Sequence, residues 1–176
     1  MKLYHTSDRS IPAPDLHYGR KNADFGQGFY LTPDRSFALR WAGAKAILNS
    51  YELDLSGLSV HRFRQDTEWF DYIFRNRRGE DSLDADVVIG PSANDTIFNT
   101  MGILSSGFLS PEEALELLRV GPAYTQVALK TEQAAARLRF LSAEPIARLE
   151  EGLRRREQEE YLRAVGEAMS RLTQKE

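Results

Sequence analysis

The chain has 176 residues, enough for one domain with a buried core and an appendage, and its apolar and charged fractions of 41% and 28% are those of an ordinary globular protein. Its formal charge of −3 gives no global attraction to nucleic acid or to an anionic membrane, so any polyanion contact needs a local basic patch. The absence of cysteine excludes disulfides, thiolate metal sites and a cysteine nucleophile, and with neither an apolar leader in MKLYHTSDRS nor a membrane-length stretch the expectation is a cytoplasmic protein with no membrane partner.

Taken in order, Lys2 to Thr6 reads as a first strand and Ser7 to Asn22, with Pro12 and Pro14, as a turn-rich connection. The stretch Asp24 to Ala46 then packs a glycine-punctuated loop, a short aromatic strand Phe29-Tyr30-Leu31 and a helix. Thr32-Pro33-Asp34 is expected to supply that helix with an N-cap, a proline at N1 and an acidic first turn. Tyr51, Leu53 and Leu55 alternate with Glu52 and Asp54 in a half-buried strand, and Val60 to Phe63 suits another. Asp66 to Arg77 carries Trp69, Phe70, Ile73 and Phe74 on one helical face. The apolar run Asp86 to Ile89, closed by Gly90-Pro91, reads as a central strand.

Asn94 is placed to cap a short helix through Met101, and Ser110-Pro111-Glu112-Glu113 forms a capping box that opens a helix through Leu118. Tyr124 to Lys130 is a strand with Gln126, Ala128 and Lys130 on one face, followed by a helix capped by Thr131 and a last strand over Arg139 to Ala143. Beyond Glu144 the pattern changes to one long helix. Its apolar patches, Ile146-Leu149-Leu153 and Leu162-Val165-Met169-Leu172, are separated by the charged band Arg154 to Glu160. Such a helix either packs back on the body or docks a partner. The interleaving of five or six strands with short helices argues for α+β with mixed sheets rather than repeated βαβ units.

No P-loop, dinucleotide turn or zinc-binding helix is present, and His5, His17 and His61 share no metal-ligand spacing, so no metal site is expected. The basic run Arg75-Asn76-Arg77-Arg78 is the better of two candidate nucleic-acid contacts, since Arg154-Arg155-Arg156 adjoins glutamates. Three polar residues stand out on otherwise apolar strands: His5, Tyr30 and Gln126. Singly, each has a structural explanation.

Together they carry a resemblance. Leu3-Tyr4-His5-Thr6-Ser7, Asp24 to Thr32 and the Ala38/Trp41-Ala42 helix resemble an uncharacterised bacterial domain family of the ADP-ribosyltransferase-like superfamily. The likeness continues through Asn49 to Leu53, Asn76-Arg77, Asp86 to Pro91, Ala93-Asn94-Asp95 and Gln126 to Glu132, in all roughly residues 1 to 141. It implies two small sheets forming a split cleft over residues 1–143; the helical extension over 144–176, read from the change of pattern, lies outside it.

By resemblance to the His-Tyr-Glu branch, His5 would hydrogen-bond a ribose hydroxyl of NAD, Tyr30 would stack on nicotinamide, and Thr6 would offer backbone groups to its amide. The third position, usually glutamate, is Gln126. A carboxylate stabilises the oxocarbenium-like charge of glycosidic cleavage, whereas a neutral amide only accepts the ribose hydroxyl's hydrogen bond. Asn94 and Asp95 follow the central strand in a loop; beside the capping reading, both are candidate cofactor contacts and Asp95 a substitute carboxylate. Arg20, near the glycine loop, is placed to meet the NAD pyrophosphate.

The expectation is therefore a bacterial or phage mono-ADP-ribosyltransferase-like protein that uses NAD as substrate on a macromolecular acceptor, as a toxin of a toxin–antitoxin or phage-defence system. The alternatives are a catalytically inactive nucleotide- or partner-binding module, which Gln126 favours, and an NAD glycohydrolase. The C-terminal helix is the expected surface for an antitoxin or a second copy.

Overall fold

The computed structural model describes residues 1–40, 45–93, 110–121, 123–146 and 151–173, with residues 111, 151–158 and 173 described by their backbone alone. Among these the chain is α+β, with two sheets and a long C-terminal helix. The first sheet has the order β1-β3-β7, built from β1 (Lys2–Ser7), β3 (Ile47–Leu53) and β7 (Leu138–Pro145), all antiparallel. The second has the order β2-β6-β5-β4, built from β2 (Phe29–Leu31), β6 (Thr125–Leu129), β5 (Val87–Pro91) and β4 (Val60–Arg62). Mixed pairing is confined to this second sheet, where the chain returns through helix α2 (Thr67–Arg77) to lay β5 parallel to β4.

Backbone pairing joins the two sheets where β2 ends against β1. Tyr4 and Thr32 exchange backbone hydrogen bonds of 2.8 and 3.0 Å, so the end of β2 sits against β1. Elsewhere they pack face to face. Leu3, Tyr51 and Leu53 of the first sheet bury against Phe29, Leu31, Val127 and Leu129 of the second, as strand alternation dictates. The opposite face of the second sheet, carrying Val88 and Ala128, is covered by Trp69, Phe70 and Ile73 of α2 and by Ala114 and Leu115 of α3 (Pro111–Leu118). The opposite face of the first is covered by Ala38 and Leu39 of α1 (Arg35–Arg40), which pack on Leu48.

Helix starts follow local chemistry. Asp66 caps α2 and Thr131 caps α4 (Glu132–Ala136), while Ser110 and Glu113 close both bonds of the capping box on α3. For α1 the expected cap is displaced. Asp34, not Thr32, accepts from the amides of Ser36 (2.8 Å) and Phe37 (3.2 Å), so the helix begins two residues later and its first turn holds no acid. Thr32 is fully buried instead, its backbone committed to Tyr4 and its hydroxyl accepting from Asp34 N.

The C-terminal helix α5 (Glu151–Thr173) docks through its far end. Ala168 and Leu172 bury against Leu117, with Val120 and Met169 around them. Leu162, expected on the apolar stripe, is 54% exposed. The buried face is set by Tyr161, Ala164, Val165, Ala168, Met169 and Leu172. Leu153, Leu149 and the arginine run 154–156 lie outside the described side chains. No described helix is long and apolar enough to cross a membrane.

Candidate functional site

A cleft of about 1330 Å³ is lined by residues of both sheets. His5 from β1, Tyr30 from β2 and Gln126 from β6 all line it. His5 is in place because β1 pairs along β3, with His5 opposite Asn49, and because its ring packs on Phe29 at 4.6 Å between centroids. Its Nδ1 donates to the Tyr30 carbonyl oxygen at 2.7 Å; since a carbonyl only accepts, the proton is on Nδ1 and Nε2 is the free acceptor of the neutral ring. Burial lowers the His5 pKa below its ordinary 6.5, only partly opposed by that hydrogen bond, which keeps the ring neutral at pH 7.

Tyr30 closes the glycine loop on itself. Its hydroxyl accepts from Phe25 N at 2.8 Å and donates to Gly26 O at 2.7 Å. Burial pushes this hydroxyl far above the usual tyrosine range, so it stays protonated. The two flanking glycines are required by space. Gly26 has φ +80°, and an added Cβ would lie 2.2 Å from Asp81 Oδ2; at Gly28 it would lie 2.4 Å from the Leu129 carbonyl oxygen. Asp81 is held there by Lys130 Nζ and by the Tyr72 hydroxyl at 3.0 Å. The loop over residues 9–11 forms another wall, pinned by the buried Asn49, which accepts from Ile11 N (2.9 Å) and donates to Arg9 O (3.1 Å), and by the Tyr51 hydroxyl on Ile11 O (2.7 Å).

The floor of the cleft contains a pair that sequence reasoning missed. Asp24, only 7% exposed, accepts at Oδ1 from Arg77 Nε (2.9 Å) and Nη2 (2.5 Å), and at Oδ2 from Ala93 N (2.9 Å) and Gln126 Nε2 (3.1 Å). Its own carbonyl accepts from Asn76 Nδ2 at 3.2 Å. Gln126 is thereby buried and hydrogen-bonded rather than merely solvated at a strand start. Within the basic run 75–78, Arg75 and Arg78 are exposed, Arg78 lying over the Phe74 ring, whereas Asn76 is fully buried and the Arg77 side chain is 5% exposed and paired inward, so Arg77 is not a surface charge. The only local signal was that Asp24 opens the glycine motif; its partners lie 53 and 102 positions away.

Of the remaining expected contacts, Arg20 is exposed and lines the cleft. Thr6 does not line it: its hydroxyl donates to Ala38 O at 2.6 Å and its side chain is buried toward α1. Asn94 and Asp95 lie outside the described residues. Among the described residues no group of three His, Asp or Glu side chains is placed to hold a metal ion. The cleft lining also includes Leu118, the last residue of α3, and Tyr161 from α5.

Comparison with known families gives one match, over residues 1–140, to the family described as "Protein of unknown function (DUF3990)". The chain belongs to this family. No curated protein and no solved structure matches. The DUF3990 match spans β1 to the first part of β7 and so contains His5, Asp24, Tyr30, Arg77 and Gln126 together. Helix α5, with Tyr161 in the cleft wall, lies beyond the matched residues.

Proposed function

We propose that the cleft binds NAD and that the protein is a mono-ADP-ribosyltransferase-like enzyme acting on a macromolecular acceptor. The observation that carries this reading is the convergence of His5, Tyr30 and Gln126, from three strands of two sheets, on one cleft large enough for a dinucleotide. Neutral His5 offers Nε2 to a ribose hydroxyl. Tyr30 presents a protonated, rigidly held ring beside it, suited to stack on a flat nicotinamide. Arg20, exposed at the rim, suits the pyrophosphate by charge-assisted hydrogen bonding. Transfer breaks the bond between the ribose and nicotinamide, releases nicotinamide, and joins the ribose carbon to an acceptor nucleophile whose proton leaves to solvent. A role as a toxin or defence effector is consistent with such chemistry and rests on the resemblance alone.

The test is nicotinamide release from NAD by the full chain, with and without cell-extract protein and nucleic acid as acceptors, beside His5→Ala. Release that depends on acceptor and falls at least tenfold in the variant supports transfer. Release without acceptor makes the protein a glycohydrolase, and NAD binding with no release favours an inactive nucleotide-binding module. That second reading draws on one observation, the neutral Gln126 at the position where the resembling branch carries glutamate.

A further inference from the structure

We propose that Asp24 is the positioning residue for Gln126: it fixes the glutamine amide so that the oxygen is the atom offered to the ribose, and it places a negative charge directly behind that amide. The inference rests on the NAD reading above. The hydrogen bonds to the Asp24 carboxylate all come from donors, namely Arg77 Nε and Nη2, Ala93 N and Gln126 Nε2. A carboxylate so engaged only accepts, so the part of the Gln126 amide that faces it must be the NH2 group. The amide orientation is thus dictated by chemistry, not by a choice between two similar atoms. Oε1 is then the acceptor that remains.

A glutamine without this anchor presents either end of its amide, and the NH2 end repels both a hydroxyl donor and a ribose that is gaining positive charge. Asp24 removes that alternative and adds its own charge at 3.1 Å from the amide nitrogen. Arg77, paired with the other carboxylate oxygen, offsets part of the charge and fixes its position. Asp24 and Gln126 together do at this position what a single glutamate does elsewhere, with acceptor and charge divided between two residues.

The geometry also fixes what a glutamate would do here. Gln126→Glu alone sets a second carboxylate at hydrogen-bond distance from Asp24, and adjacent carboxylates disfavour each other's ionisation. Combining it with Asp24→Asn restores a donor–acceptor pair of reversed polarity, an asparagine amide donating to the new carboxylate, and removes the repulsion between two carboxylates.

The experiment compares the full-length wild type, Asp24→Asn, Gln126→Glu and the double variant by urea unfolding midpoint and by kcat and KM for nicotinamide release. The expected result is a lowered midpoint in Gln126→Glu that recovers in the double variant. Asp24→Asn should lose at least tenfold in kcat with a smaller change in KM, and the double variant should regain it. Equal midpoint losses for Gln126→Glu in both backgrounds, or undiminished kcat in Asp24→Asn, overturns the proposal. Coupled midpoints in a wild type that neither binds nor turns over NAD overturn the NAD reading and the ribose role with it, while the pairing itself stands. Should Asp24→Asn not fold, the side-chain amide NMR signals of wild-type Gln126 decide: slow exchange with water supports the held amide, and fast exchange contradicts it.

Discussion

His5 Nδ1 donates to the carbonyl oxygen of Tyr30 at 2.7 Å, tying the first strand of one sheet to the short strand of the other inside the cleft. The contact fixes the tautomer of His5 and couples its protonation to the fold. Because burial lowers its pKa below 6.5, the unfolded chain takes up the proton first as pH falls. Stability from this group is therefore full above about pH 6.5 and declines as pH drops through the interval down to the lowered value. Urea unfolding at pH 7.5 and 5.5 should show a larger loss for wild type than for His5→Ala, with His17 and His61 contributing alike to both. Equal losses would show that His5 is not the group responsible.

Tyr30→Phe removes one atom that serves two backbone groups, Phe25 N and Gly26 O. Leaving these without a partner should cost about 1–3 kcal/mol in urea unfolding. Amide exchange should rise at Phe25 while β5 and β6 remain protected. A variant as stable as wild type would mean that the loop finds other partners.

Arg77→Ala breaks a pair whose side chains are 5% and 8% exposed. Removing one partner of a buried ion pair leaves the other charge uncompensated, and about 3–5 kcal/mol should be lost. Arg75→Ala, on an exposed neighbour in the same helix, is the control and should change little.

Gly28→Ala brings a methyl group to within 2.4 Å of the Leu129 carbonyl oxygen, and that oxygen belongs to β6 next to the Phe29–Leu129 pairing. Backbone cannot give way there without disturbing the sheet, so a loss of about 1–3 kcal/mol or more is expected by thermal or urea unfolding. Gly79→Ala is a comparison of another kind: it meets no neighbouring atom and tests only the strain of φ +86°.

The fold was legible where sequence signals are local. Phe29-Tyr30-Leu31 between glycines and turn residues is a strand, and the Ser110–Glu113 box opens α3. The start of the first helix differs from expectation because Thr32 and Asp34 are both capping residues, and the backbone pairing of Thr32 with Tyr4 decides between them. The stripe on α5 is offset because Ala168 packs on α3 and Ala164 lines the cleft, and the methyl groups of such small residues carry little weight in an apolar pattern beside Leu162. In the cleft, His5, Tyr30 and Gln126 could be named from the chain. Asp24 could not, since its role exists only once residues 53 and 102 positions away are folded around it. Arg77 was hidden for the opposite reason: it sits among other arginines and reads as surface charge.

The measurement that bears most directly on the central claim is calorimetric titration of the full chain with NAD, run in parallel on His5→Ala. Binding by the wild type should be one-to-one and should weaken at least tenfold when the Nε2 acceptor is removed. Binding of equal strength in both proteins would contradict the assignment of the ribose to His5, and no binding by the wild type would contradict NAD as the ligand of this cleft.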